Sequence, residues 1–175
     1  MGALIDWADL LNAQKELDLF VFKNKGLTYQ DTSKKRLLSL IVELSELSNE
    51  TKVFKFWSEK GWDEEKVLSE YADVLHFVLS IFQERGFSLD GIGVREPANK
   101  KDKEFLTDFF LMLHKDLSSV ICFDSSCAAD MESSFRSWVQ KFIDLSSYLG
   151  FSWDKIMKSF LDKRNVNWER QRSGY

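Results

Sequence analysis

Residues 63–84, D-E-E-K-V-L-S-E-Y-A-D-V-L-H-F-V-L-S-I-F-Q-E, decide the fold. Val67, Tyr71, Val74, Val78 and Phe82 recur at helical spacing and form one apolar stripe. Glu70 and Asp73 sit beside that stripe at i, i+3, so both acids share one helix face. Asp63 reads as an N-cap, and Gly86 as a C-cap just past the periodic run. A second stretch repeats the design. There Leu37, Leu40, Leu44 and Leu47 make the stripe, and Glu43 and Glu46 lie roughly 100° round from it. Glu50 continues the acidic line one turn on.

Working outward, the same periodicity predicts helices at 4–22, 32–50, 63–84, 102–119, 131–149 and 152–166. Gly150 reads as a further C-cap and Ser152 as a further N-cap. Strand-like alternation is missing and Pro97 is the single proline, so the class is all-α, a bundle of about six helices. Residues 89–101, with two glycines and Pro97, read as a loop, and residues 124–130 as a second. No domain boundary interrupts the chain. The expectation is one domain over 1–175 with a basic, polar tail at 166–175, frayed in the free protein.

Two acid pairs on neighbouring helices bring four carboxylates to one volume. Like charges so close raise each other's pKa unless a cation neutralises them. An all-oxygen anionic cluster suits a hard divalent ion, above all Mg²⁺. Glu43, Glu46, Glu70 and Asp73 are therefore the candidate metal ligands, for metal-assisted chemistry on a phosphate. The competing reading of each pair is a solvated helix face. His76, three residues after Asp73, raises a di-iron carboxylate site, but that needs a second Glu-x-x-His, and His114 has Leu111 at the required position. His76 is instead expected to pack beside the acids and orient one, or to be a satisfied core histidine.

Composition narrows the class. A chain of 175 residues, 44% hydrophobic and 30% charged, fits one soluble globular domain. Fifteen Phe and six Trp point to a large core, an oligomer interface, or both. A net charge of −4 argues against a nucleic-acid polymer as partner. Asp6 and Asp9 interrupt the apolar N-terminus, so no signal peptide is expected, and the most apolar stretch, Phe105 to Leu113, is short and contains Asp108, so no membrane span is expected. Cys122 and Cys127 have no metal-site spacing and read as free thiols of a cytoplasmic protein.

Gln14 interrupts the stripe Trp7, Leu10, Leu17, Val21. A buried amide must find partners, in a neighbouring backbone or in a ligand. Its donor and acceptor match the edge of a uracil, where an N–H lies between two carbonyls. The run Phe54-Lys55-Phe56-Trp57 reads either as a hydrophobic connector or as a wall for a base or sugar with Lys55 near phosphate. Lys158, Lys163, Arg164, Arg170 and Arg172 form a basic cluster, a solvated face or a counterpart for a triphosphate.

At these residues the chain resembles a known family. The segments E-L-S-E-L-S-N-E-T-K-V-F-K-F-W-S (43–58), E-Y-A-D-V-L-H-F (70–77) and N-W-E-R-Q-R-S-G-Y (167–175) resemble the dimeric dUTPases of the all-α NTP pyrophosphatase (MazG-like) superfamily. Q-K-E-L-D (14–18) matches that family's first motif. The resemblance implies a helical homodimer that uses Mg²⁺ to hydrolyse dUTP to dUMP and pyrophosphate, by attack on the β-phosphorus, with dUDP as a further substrate. It places Glu43, Glu46, Glu70 and Asp73 on the metal, with Glu46 also activating water. It places Gln14 and Asn167 on the uracil, and Lys55, Lys163, Arg170 and Tyr175 on the phosphates. Trp57, His76, Phe77 and Asn49 fall at the deoxyribose pocket. Two departures stand out: Lys163-Arg164-Asn165 breaks the usual Lys-Asn order, so Asn165 competes with Asn167, and Trp168 is foreign to the pattern. Two other functions compete. A pyrophosphatase for another nucleotide would differ in a substrate panel. A helical dimerisation or regulatory protein would show no Mg²⁺ binding.

Overall fold

The computed structural model describes residues 5–98, 102–122 and 128–174, folded into six helices with no β-strand among the described residues. They are α1 (Trp7–Lys25), α2 (Tyr29–Thr51), α3 (Glu64–Arg85), α4 (Lys103–Cys122), α5 (Ala128–Tyr148) and α6 (Trp153–Arg172). The all-α expectation holds, and the boundaries shift where capping chemistry decides them. The Asp6 carboxylate accepts from the N–H groups of Ala8 and Asp9, so α1 starts at Trp7 rather than at residue 4. Thr28 and Asp31 form a reciprocal capping box, so α2 starts at Tyr29 rather than at 32. Asp63 and Ser152 cap α3 and α6 as expected. Gly86 closes α3 at φ 66°, where a side chain would be strained.

The third helix is the axis of the bundle. It packs most extensively on α2, then on α6 and α1, while α4 pairs with α5. Its five stripe residues are all buried, against Leu40, Leu44 and Leu47 of α2. Full burial of one such side chain stabilises by about 1.5–3 kcal/mol. Leu37 is only half-buried, because it borders a surface groove between α2, α3, α4 and α5. Tyr71 ties α3 to α5: its ring stacks on Phe142 at 4.4 Å, and its hydroxyl donates to the Phe142 carbonyl at 2.9 Å.

The first connector is a packed segment rather than a slack loop. Leu89, Ile92 and Val94 are buried, and the Gln140 amide both donates to and accepts from the Gly93 backbone. The second expected loop overreaches, because α5 already begins at Ala128 and includes Asp130. Cys127 and the rest of that loop, residues 99–101 of the first and Tyr175 lie outside the described residues. No described helix is long and apolar enough to cross a membrane.

The end of the last helix is the main correction. The sixth helix does not stop near 166; it runs on to Arg172. Trp168, the residue foreign to the family pattern, packs on Phe20 of α1 with ring centroids 4.4 Å apart. One turn earlier the Arg164 guanidinium pairs with Glu16 at 2.7 Å and donates to the Ala13 carbonyl. These contacts hold a segment too polar to fold by its own stripe. Trp168→Ala should therefore loosen the last turns of α6 selectively. Hydrogen exchange should show amides 166–172 losing protection while 156–162 keep theirs. Uniform loss along α6, or none, would contradict the anchoring role.

Candidate active site

The two acidic edges meet where α2 packs on α3. Glu43, Glu46 and Glu70 each offer a carboxylate oxygen, and the three lie within 4.8 Å of one another, the group best suited to a metal among the described residues. Ligand oxygens on opposite sides of a Mg²⁺ ion stand about 4.2 Å apart. The three carboxylate oxygens can share one hard divalent cation once their side chains close around it, since neighbouring ligand oxygens stand about 3 Å apart. Asp73 stands next to the group, and Lys163 of α6 holds it at 2.5 Å while donating to Ser69.

Electrostatics give the cluster a measurable signature. Burial, then repulsion from Asp73, Glu46 and Glu70, raises the Glu43 carboxyl to about 7. Burial and neighbouring acids also push Glu70 and Asp73 upward, with Lys163 pulling both the other way.

Beside the acids a cleft of about 320 Å³ opens between α1, α3 and α6, with part of α2. Gln14, Asp73, His76, Phe77, Asn167 and Arg170 all line it. Six candidate residues from three helices thus converge, and Asp73 joins cleft to cluster. Asn167 is inside the cleft, whereas Asn165 borders a separate shallow hollow. A larger groove of about 970 Å³ between α2, α3, α4 and α5 holds none of the candidate residues. Its lining includes Asp31, Lys34, Lys35 and Arg85, away from the acid cluster.

His76 corrects an expectation. It orients no acid of the cluster; its Nδ1 meets Gln14 Oε1 at 2.6 Å, and its ring stacks on Phe160 of α6 at 4.2 Å. Burial lowers its pKa to about 3, so the ring is neutral. Its Nε2 lies near the Phe160 backbone but makes no hydrogen bond of ordinary geometry. Gln14 caps no backbone either: its Nε2 donates to Asp18 at 2.8 Å.

Other candidates stay outside the cleft of their own chain. Asn49 is exposed on α2 with its amide toward Glu50 at 3.4 Å. Phe54, Lys55, Phe56 and Trp57 form a turn after α2, with Phe56 88% and Trp57 65% exposed. Conversely, Asp18, Ser80 and Gln171 line the cleft, and sequence reasoning missed them. Gln171 was discoverable: with α6 continued, Asn167, Arg170 and Gln171 fall at i, i+3, i+4 on one face.

Clustered carboxylates beside a cleft lined by amides and cations, on an all-α bundle, define a class of metal-using hydrolases that act on phosphorylated ligands. Within that class, the family model for dUTPase matches residues 6–175, and the chain belongs to this all-α dUTPase family. It is a hydrolase that acts on dUTP, and its family uses a divalent metal ion. No curated protein matches the chain.

The raised Glu43 carboxyl makes stability depend on pH. Between about pH 4.5 and 7 the folded chain binds the Glu43 proton that the unfolded chain releases. Stability from this group is thus full below 4.5 and is lost as pH rises through 7. Glu43→Gln removes the loss. In chelator-containing buffer, urea midpoints of variant and wild type should nearly coincide at pH 4.5, with the variant higher at pH 8. A gap that does not widen with pH would show that folding does not raise the Glu43 carboxyl.

Proposed function

We propose that the cleft between α1, α3 and α6 holds the deoxyuridine of dUTP, and that Glu43, Glu46, Glu70 and Asp73 hold Mg²⁺ beside it. The observation that carries this reading is the convergence of Gln14, Asp73, His76, Phe77, Asn167 and Arg170 on one cavity. When bound, Mg²⁺ would neutralise phosphate oxygens and acidify a coordinated water. Glu46, the most open acid of the cluster, accepts the proton from the attacking water. Attack at the β-phosphorus breaks its bond to the bridging oxygen and releases dUMP. The other product is pyrophosphate from dUTP and phosphate from dUDP.

Gln14 and Asn167 read the base, Gln14 through an acceptor for the uracil N3–H and a donor for a carbonyl. His76 and Phe77 shape the sugar pocket. Lys163 and Arg170, which flank Asp73, offset charge on the phosphates. Lys55, Trp57 and Asn49 complete the site across a two-fold homodimer interface, and Tyr175 serves the phosphates as the family motif implies. The exposure of Phe56 and Trp57 away from their own cleft supports that arrangement, because a two-fold axis presents the same run to the partner's site. A cytoplasmic setting suits the substrate, and the chain works as a single domain.

The test is product release across dUTP, dUDP, dTTP, dCTP and UTP with Mg²⁺. The first two should turn over well and the others poorly. Equal rates for UTP and dUTP would remove the sugar-pocket assignment. Glu46→Gln should lower kcat by ~10²-fold or more, as for loss of a general base. Near-normal turnover of that variant would take Glu46 out of the chemistry.

A further inference from the structure

Gln14 is held at both ends, by a carboxylate that only accepts and by an imidazole whose role follows its tautomer. Asp18 Oδ1 accepts from Gln14 Nε2 at 2.8 Å, and His76 Nδ1 meets Gln14 Oε1 at 2.6 Å. An ionised carboxylate accepts only, so the nitrogen end of the amide must face Asp18, and Oε1 must face His76. Asp18 is itself fixed: its Oδ2 accepts from Ser80 Oγ at 2.7 Å and from the Tyr29 hydroxyl at 3.1 Å. Arg36 stands behind them, donating to Ser80 and Tyr29 and paired with Glu84 at 2.7 Å. Burial pushes the Asp18 carboxyl up, and its three donors and Arg36 pull it down.

We propose that Asp18 sets the sense in which the Gln14 amide faces the base, and so selects uracil over cytosine. This rests on the reading that Gln14 meets the base. With both partners engaged, Oε1 keeps one lone pair and Nε2 one hydrogen for the ligand. That order accepts the N3–H of uracil and donates to its carbonyl. Cytosine presents the opposite order, a bare N3 and an amine, and would need the amide reversed. Reversal would aim Oε1 at the Asp18 carboxylate, two acceptors facing each other in a buried site. Asp18 is thus a positioning residue. The substitution Asp18→Asn removes the constraint, because the introduced side-chain nitrogen can donate to Gln14 Oε1. The network then runs backwards, with the His76 proton on Nε2.

The experiment compares kcat/KM for dUTP and dCTP, with Mg²⁺, in wild type, Asp18→Asn, Tyr29→Phe and Gln14→Ala. Asp18→Asn should lower the dUTP:dCTP ratio about 10-fold or more, a modest part of what a hydrogen-bonding site can discriminate. Tyr29→Phe removes one donor from the same carboxylate without supplying a reversed one, and should keep the ratio. If both variants lower it alike, the effect is general loosening and the proposal falls. If Gln14→Ala lowers the ratio and Asp18→Asn does not, Asp18 has no orienting role, while base reading by Gln14 stands. If Gln14→Ala leaves the ratio unchanged, the base reading itself fails. A measurement on the wild type covers the case in which Asp18→Asn does not fold. The ¹⁵N shifts of His76 should report a proton on Nδ1 and a bare Nε2, and the opposite tautomer would overturn the proposal.

Discussion

Repulsion between carboxylates on the facing edges of α2 and α3 is the constraint that the rest of the structure satisfies. Burial first, and then repulsion from Asp73, Glu46 and Glu70, raises Glu43, so bringing the two helices together carries a cost there. The apolar faces behind the acids hold them together: Leu40, Leu44 and Leu47 on one side, Val67, Tyr71, Val74 and Val78 on the other, all buried. Each buried aliphatic or aromatic side chain contributes about 1.5–3 kcal/mol, so several together outweigh one strained carboxyl. Lys163, reaching across from α6, offsets part of the remaining charge at Asp73.

A similar balance explains the buried polar groups behind the cleft. Gln14, Asp18, Arg36, His76 and Ser80 are nearly inaccessible to water, and each finds partners within the set or at its edge. A buried polar group left unmatched costs about 1–3 kcal/mol, so a connected chain of donors and acceptors, open at His76 Nε2, keeps that cost small. Such a chain also has a direction. Arg36 and Glu84 hold their charges at one end, His76 is neutral at the other, and the amide between them inherits a fixed orientation.

Much of this was legible in the sequence because periodicity reports burial directly. The five-residue stripe of α3, the caps at Asp63, Ser152 and Gly86, and the acid pairs all stand where the pattern puts them. What stayed hidden depends on partners distant along the chain. Nothing local to Trp168 says that Phe20 will receive it, so the polar end of α6 reads as a tail. His76 lies three residues from Asp73, and proximity in sequence suggests that acid as its partner. The actual partner is Gln14, 62 residues away on α1. Asp18 looks like an ordinary solvated acid until Ser80 and Tyr29 close over it.

The sixth helix carries two kinds of residue on one rigid rod. Ile156 and Phe160 anchor it in the core, and Asn167, Arg170 and Gln171 face the cleft. The interval between those groups sets their relative angle, because each helical residue turns the chain by about 100°. A single insertion or deletion between Phe160 and Asn167 would swing all three cleft residues off the site while leaving the anchor intact. Substitutions in that interval change individual contacts only. Divergence among descendants of this chain should therefore proceed through letter changes in 161–166, with the length of that stretch held constant.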